Sequence, residues 1–450
     1  MTKECEELTA KWIEPLDKWM GVSVESILES ALTNKVTFSD NMDLPVHRWF
    51  RFPAGFSAEL VSMVMRTVGV SRDYLILDPF TGCGTTNVVA KNLHIRSIGI
   101  ELHPFLAWVA RVKTFWEFDM KNLKEEIQNT LVKVREKINS PSCNINDKPE
   151  LLRKCYSEKV LKELYAVKEV VDSVDQERVR DFLTLALVAI LRKVTPADTG
   201  WPYVLPRKRR KNTVPEVFDA FRNQLMLMLD DLAKVTKMPT VEAQIYEADA
   251  RKIDFIDAES IDFSFTSPPY LNNYDYADRT RLELYFLGWA SSWKEISEKI
   301  RKKLIVSCTH QAKELGLKEG LMPDEEMDSE VRESLIKASE QLRKIKYTKG
   351  GKKDYDIMIV AYFNDMLKAM REMYRVLKDG AYYAIVLGDS APYGVHIPTD
   401  EYLAKIGKSI GFKKAKIFVL RERGGKWNYV VKAGRRHGVK LRESLILFQK

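Results

Sequence analysis

Tyr74-Leu75-Ile76-Leu77-Asp78-Pro79-Phe80-Thr81-Gly82-Cys83-Gly84-Thr85-Thr86 is an apolar run that breaks into a glycine turn, and an amphipathic stretch, Asn87 to Leu93, follows it. The pattern reads as strand, tight turn, helix. Gly82 and Gly84 carry no Cβ, so a ligand can approach the backbone closely at the turn. Arg96 to Ile100 then gives a second strand that closes on Glu101. An acidic side chain placed about twenty residues beyond such a turn can accept both hydroxyls of a ribose. No GKS or GKT follows the glycines and the full GxGxxG spacing is absent. A nucleoside cofactor therefore fits the pair better than a nucleotide triphosphate.

The chain outside this unit shows no repeat and no low-complexity tract. From Asn122 to Val235 apolar residues recur at helical spacing, which predicts a helical insertion over 121–239. Strand signals return at Glu242 to Tyr246 and at Ile261 to Phe265. A charged block from Trp293 to Lys353 reads as a second helical insertion, mobile or facing the substrate. Beyond it come a helix (Ile357 to Leu377), a KDG turn, a strand (Ala381 to Leu387), a helix (Glu401 to Ile410) and strands at Lys416 to Leu420 and Ser444 to Phe448. Strands alternating with helices imply an α/β fold on a mostly parallel sheet. The last two strands lack an intervening helix, so the final one is expected to run antiparallel. Segments 1–120 and 240–450 thus form one discontinuous domain around the helical insertion.

Composition limits the function classes. With 45% hydrophobic and 30% charged residues the chain has the balance of a globular protein, and no apolar run nears the roughly 20 residues that span a bilayer. A membrane role is not expected. The N-terminus carries acidic residues and Trp12 where a secretory leader has a basic start and an apolar core, so the expected compartment is the cytoplasm. The five cysteines are scattered and never form a CxxC pair, which argues against a disulfide framework and against a metal cluster. A formal charge of +9 suits a polyanionic partner without requiring one.

Thr266-Ser267-Pro268-Pro269-Tyr270 follows the apolar strand Ile261 to Phe265. Two prolines fix φ and remove two amide donors, giving a rigid turn at the carboxyl end of a strand, the edge where α/β sheets bind ligands. Such a turn can aim the Ser267 hydroxyl and nearby carbonyls at an amino group, with the Tyr270 ring as a stacking face. Two basic stretches complete the picture. Arg207, Lys208, Arg209, Arg210 and Lys211 follow WPYVLP, and Arg421 to Lys440 includes Arg435 and Arg436. Cations mixed with aromatics and glycine suit phosphate contacts and base stacking.

DPFTGCGTT and TSPPY together resemble the two signature motifs of the amino-group DNA methyltransferases. The resemblance covers roughly Val46 to Phe115 and Ile245 to Lys450 and leaves the helical insertion unmatched. It implies a Rossmann-like seven-stranded methyltransferase sheet with helical insertions, S-adenosyl-L-methionine as cofactor, and double-stranded DNA as partner, with the target base flipped out. A cognate restriction endonuclease is a companion of many members. Carried over position by position, it puts the cofactor against Asp78, Pro79, Phe80, Gly82, Gly84, Thr85, Thr86 and Glu101. HRWFRFPAGFSAELVSMVMRTVG, His47 to Gly69, resembles the helix that precedes the glycine loop in the family, with Phe56 as its contact and Ser57 as an N-cap. Asp249 sits where the family has an acidic residue near the adenine. The target amine falls to Ser267, Pro268, Pro269 and Tyr270. VLGDS (Val386 to Ser390) and the closing LRESLILFQK resemble later strands of N4-cytosine members.

Serine at the head of the Pro-Pro turn is typical of the N4-cytosine branch, whereas the order glycine loop before SPPY is commoner among N6-adenine enzymes. An RNA amino-methyltransferase would use the same motifs. Methylation at a ring carbon would need a Pro-Cys nucleophile, and Cys83 lies in the glycine loop instead.

Overall fold

The fold is described from a computed structural model that covers residues 38–198, 204–209, 213–236, 240–349, 353–423, 429–432, 435–438 and 441–450. Its centre is a sheet of seven strands: β1 (Leu75–Asp78), β2 (Arg96–Ile100), β3 (Ala243–Tyr246), β4 (Ile261–Thr266), β5 (Leu377–Gly388), β6 (Lys414–Arg423) and β7 (Leu441–Gln449). They lie in the order β3-β2-β1-β4-β5-β7-β6. β3, β2, β1, β4 and β5 pair in parallel, and β7 runs antiparallel to both β5 and β6. This is the mostly parallel α/β sheet that the strand and helix pattern predicts, with the seven strands of the Rossmann-like sheet that the resemblance implies and with its last strand reversed.

The sheet interior explains the sequence pattern. β1, β4 and β7 are buried along nearly their whole length, as expected for strands covered on both faces. From β1 the chain steps outward to β2 and β3, then returns to β4 on the other side of β1. That reversal opens a crevice at the carboxyl ends of β1 and β4, where ligands of doubly wound sheets bind.

Among the described residues ten longer helices accompany the sheet: α1 (Ala58–Thr67), α2 (Thr85–Asn92), α3 (Pro104–Thr114), α4 (Met120–Asn139), α5 (Glu158–Asp172), α6 (Glu177–Ile190), α7 (Val217–Val235), α8 (Ser329–Lys346), α9 (Tyr355–Val376) and α10 (Thr399–Ile410). Helices α4 to α7 lie between β2 and β3 in the chain and share an apolar cluster with α3 and with Val46, Trp49 and Phe50. Asp231 of α7 is fully buried and accepts from Val46 N at 3.1 Å, Arg48 Nε at 3.0 Å and Trp49 Nε1 at 3.1 Å. A buried carboxylate is tolerated only when its lone pairs are filled in this way. The charged block packs in part through ion pairs: buried Arg301 reaches Asp275 at 2.8 Å and Glu314 at 2.9 Å.

Three features depart from the sequence reading. Helix α3 has almost no exposed face, so PFLAWVARVKT lacks the amphipathic signal that marks surface helices. KDG does not separate α9 from β5; it lies within the Leu377–Gly388 strand as an irregularity, with Gly380 at φ 79° and the register shifting between Ile261 and Phe263. Two small antiparallel hairpins, Ala197–Asp198 with Leu205–Arg209 and Tyr429–Lys432 with Arg435–Gly438, fall where only basic loops were read.

Candidate active site

The turn after β1 is built by its own backbone. Gly84 N donates to Thr81 O at 2.8 Å, Thr81 N donates to Ile100 O at 3.0 Å, and Gly84 takes φ 87° as the N-cap of α2. A Cβ at Gly84 would meet the Ala110 Cβ of α3 at 3.2 Å, whereas one at Gly82 would meet nothing within 4 Å. The two glycines therefore do different work. Gly84 lets two helices touch, and Gly82 leaves open space above the turn.

A cleft of about 810 Å³, counted out to its mouth, lies over this turn. Pro79, Phe80, Gly82, Cys83 and Thr85 form its floor, Phe52 and Phe56 one wall, Glu101 and His103 another, and Asp249 and Ala250 its far end. Ser267, Pro269 and Tyr276 line the same cleft. The structure thus brings together Phe56, Pro79, Phe80, Gly82, Thr85, Glu101, Asp249, Ser267 and Pro269. Asp78, Gly84, Thr86, Pro268 and Tyr270 neighbour these residues in the chain but do not line the cleft.

Each wall is held from beneath. Phe56 packs on Phe265 of β4 with ring centroids 5.4 Å apart, and Asn41 brackets it by donating to Phe56 O and accepting from Ala58 N, both at 2.8 Å. Ser57 caps α1 by accepting from Leu60 N, as the sequence predicts. Asp78 is buried and accepts from the Thr266 hydroxyl at 2.6 Å and from Phe80 N at 3.0 Å. This carboxylate ties the glycine turn to the last residue before Ser267, and burial pushes its pKa up to about 6. Thr86 donates to Phe265 O at 3.3 Å and ties α2 to the same strand.

Glu101 Oε2 accepts from Gly82 N and Oε1 from His103 N, each at 2.8 Å. Burial outweighs these donors and raises the Glu101 pKa to about 7. Asp249 lines the far end, with its carboxylate held by Arg251 at 2.7 Å.

Beyond the Pro-Pro turn, Tyr270 donates from its hydroxyl to Glu443 Oε1 of β7 at 2.7 Å, and Arg421 of β6 reaches the other oxygen of Glu443. The ring is thereby fixed in direction, since a hydroxyl anchored on a strand limits its rotation. Sequence reading missed Glu443, His103 and Tyr276. His103 follows the ribose-clamp candidate by two residues, and its Nε2 lies 2.7 Å from the Thr280 hydroxyl; burial holds its pKa down at about 3. It is a neutral ring.

The basic segments are only partly described. Arg207 and Lys208 are exposed, and Lys208 pairs with Asp198 at 2.8 Å across the small hairpin. Arg210 and Lys211 lie outside the described residues, and of Arg209, Arg435 and Arg436 only the backbone is described.

An apolar slot with an acid on one wall, an open glycine floor and a rigid hydroxyl-bearing turn at one side fits a nucleoside whose reactive end points at the turn. Comparison with known proteins agrees. Residues 4–111, which include the glycine turn and Glu101, match the N6/N4 DNA methylase family model. Over 92% of its length the chain is 28% identical to the type II methyltransferase M.BsoBI of Geobacillus stearothermophilus, covering 87% of that protein. Over 94% it is 26% identical to the type II methyltransferase M.AvaI of Nostoc sp., covering 90% of it. A stretch of 62 residues is 40% identical to the type II methyltransferase M.MjaII of Methanocaldococcus jannaschii, a match spanning 14% of this chain and 12% of the relative. The fold, the cleft and these relatives agree: the chain is similar to the DNA amino-methyltransferases, enzymes whose methyl donor is S-adenosyl-L-methionine.

Proposed function

We propose that the protein methylates the exocyclic N4 amine of a cytosine flipped out of double-stranded DNA. The observation that carries this reading is that Ser267 and Pro269 line the same cleft as Gly82 and Glu101, so a methyl donor and a target amine have adjoining places. The bound donor supplies an electrophilic sulfonium methyl group.

The chain's own residues do the rest. Glu101 accepts the ribose hydroxyls, Phe56, Pro79 and Phe80 close on the flat ring system, and Asp249 lies at the adenine end. Asp78, Gly84, Thr85 and Thr86 hold the turn and the start of α2 in place. An exocyclic amine is a poor nucleophile because its lone pair is delocalised into the ring. The Ser267 oxygen and the carbonyl region of Pro268 accept hydrogen bonds from it and draw it toward pyramidal geometry, a contact that strengthens in the transition state, and the methylated amine then releases one proton to solvent. Tyr270 stacks on the base, its direction set by Glu443. No covalent intermediate is needed, and Cys83 lies in the donor's floor.

The frame, 1–120 and 240–450, carries this chemistry, while the insertion at 121–239 takes part in DNA recognition. Arg207, Lys208, Arg209, Arg210, Lys211, Arg435 and Arg436 contact phosphates. A cognate restriction endonuclease would act on the same site, in the cytoplasm. Adenine N6 is the second reading, favoured by the glycine turn preceding SPPY in the chain. Labelled methyl transfer to plasmid DNA followed by nucleoside analysis decides between them. N4-methylcytosine is expected; N6-methyladenine would replace the reading, and transfer to RNA alone would remove DNA as substrate.

The raised pKa of Glu101 gives a pH dependence. Below about 7 the carboxyl is increasingly protonated and loses acceptor strength, so donor affinity should fall as pH drops, by up to about tenfold per unit. Calorimetry from pH 6 to 8 should show binding tighten with pH, and Glu101→Gln should bind more weakly with a flatter profile. An unchanged slope in that variant would assign the dependence to another group.

A further inference from the structure

Immediately after the SPPY turn, Arg279 ends a short helix, Tyr276–Arg279, in a setting that its charge does not fit. The residue is only 6% exposed, and its Nε is buried without a hydrogen-bond partner. The nearby carboxylate is Glu283, itself buried, and Arg192 already holds both of its oxygens, at 2.6 Å from Nε and 2.9 Å from Nη2. Arg192 also donates to the carbonyl of Arg279 at 2.7 Å. The adjacent Asp278 pairs with Arg281 at 3.1 Å. Arg51, exposed, adds a further positive charge to the surroundings of Arg279. The Glu283 carboxylate thus faces the guanidinium groups of Arg192 and Arg279, and among the described residues that of Arg279 has no ion-pair partner.

A buried cation left without a partner costs several kcal/mol, and ordinary packing removes it unless a ligand completes it. The position of the cluster indicates which ligand. Tyr276, on the same short helix, lines the cleft, and so does Phe52, next to Arg51. Thr280, next to Arg279, meets the cleft residue His103 at 2.7 Å. The cluster therefore borders the cleft on the side of the Pro-Pro turn. A base that leaves the duplex carries its flanking phosphates to this border, and a guanidinium fork matches a phosphate's paired oxygens.

We propose that Arg279, together with Arg51, binds a backbone phosphodiester of the target strand next to the flipped nucleotide. This rests on the reading of the protein as a DNA methyltransferase. Bound DNA completes the cluster, and in the free protein the Arg279 charge has no ion-pair partner among the described residues. Arg192 is a positioning residue that anchors the Arg279 backbone and Glu283.

The test uses the full chain and a duplex carrying the site mapped on methylated plasmid. Methylphosphonate linkages neutralise the phosphates flanking the target base one at a time. One neutralisation should raise the wild-type Kd about tenfold and have little effect on Arg279→Gln. That variant should bind the unmodified duplex about tenfold more weakly, with the slope of log affinity against log salt reduced by about 0.9. Its donor affinity should stay unchanged, and the Tm of the free protein should hold or rise, since an uncompensated charge is gone; a merely structural arginine would lower it. Arg279→Lys, which keeps the charge and loses the fork, should fall between. An unchanged salt slope in Arg279→Gln overturns the proposal, as does weaker donor binding with DNA binding intact, which would assign the anion to the donor's carboxylate. If wild-type protein neither binds nor methylates DNA, the underlying reading fails with it, a result distinguishable because the wild type fails rather than the variant.

Discussion

Ser267→Ala should lower kcat by about a hundredfold while leaving the donor's dissociation constant within a factor of two. The magnitude follows from what one preorganised polar contact contributes when it acts mainly in the transition state, about 10² to 10³ in rate. Donor affinity is spared because Ser267 sits at the edge of the cleft beyond the glycine floor, and the walls formed by Phe56, Phe80 and Glu101 do not depend on it. Single-turnover transfer measured beside calorimetric donor binding separates the two. A matched loss of donor affinity would make Ser267 part of the donor site. Unchanged kcat would leave the backbone of the Pro-Pro turn as the acceptor of the amine protons.

Gly84→Val should destabilise the fold by roughly 2–5 kcal/mol and reduce donor affinity as a consequence. A side chain at φ 87° costs about 1–2 kcal/mol in the left-handed region. The contact at 3.2 Å with Ala110 Cβ and 3.3 Å with its Cα adds an overpacking cost of about 1–3 kcal/mol, because helix backbone has little room to yield. Gly82→Ala tests the contrast. It meets no atom within 4 Å at φ 54°, so it should cost only the backbone strain, yet it places a methyl group on the floor of the cleft. Denaturant titration and donor binding on both variants should therefore rank them oppositely: Gly84→Val worse for stability, Gly82→Ala worse for binding relative to its stability loss. Equal behaviour would mean that the turn acts as one rigid piece.

These two glycines show where sequence reading stops. Both look alike in GCG, since absence of a Cβ is all that the letters convey, and only the approach of α3 separates their roles. Helix α3 itself was invisible because a helix covered on every side has no amphipathic period. Asp78 was read as a cofactor contact; the structure places it below the cleft surface, between Phe80 N and the Thr266 hydroxyl. Glu443 and Tyr270, 173 positions apart, meet only because β7 enters next to β5.

By itself the sequence determined the strand-turn-helix unit around Asp78 to Thr86, the acidic end of the second strand, the Pro-Pro turn, the run of helices between β2 and β3 and the reversed last strand. These depend on local rules: period, φ restriction and short-range spacing. The tertiary structure alone decided that Ser267 and Pro269 share a cleft with Gly82 and Glu101, that β7 inserts between β5 and β6, and that Arg279, beside Glu283, has no ion-pair partner among the described residues. Each of these depends on segments far apart in the chain coming together in one packing, and so on the sum of many weak burial and hydrogen-bond terms rather than on any short stretch of residues.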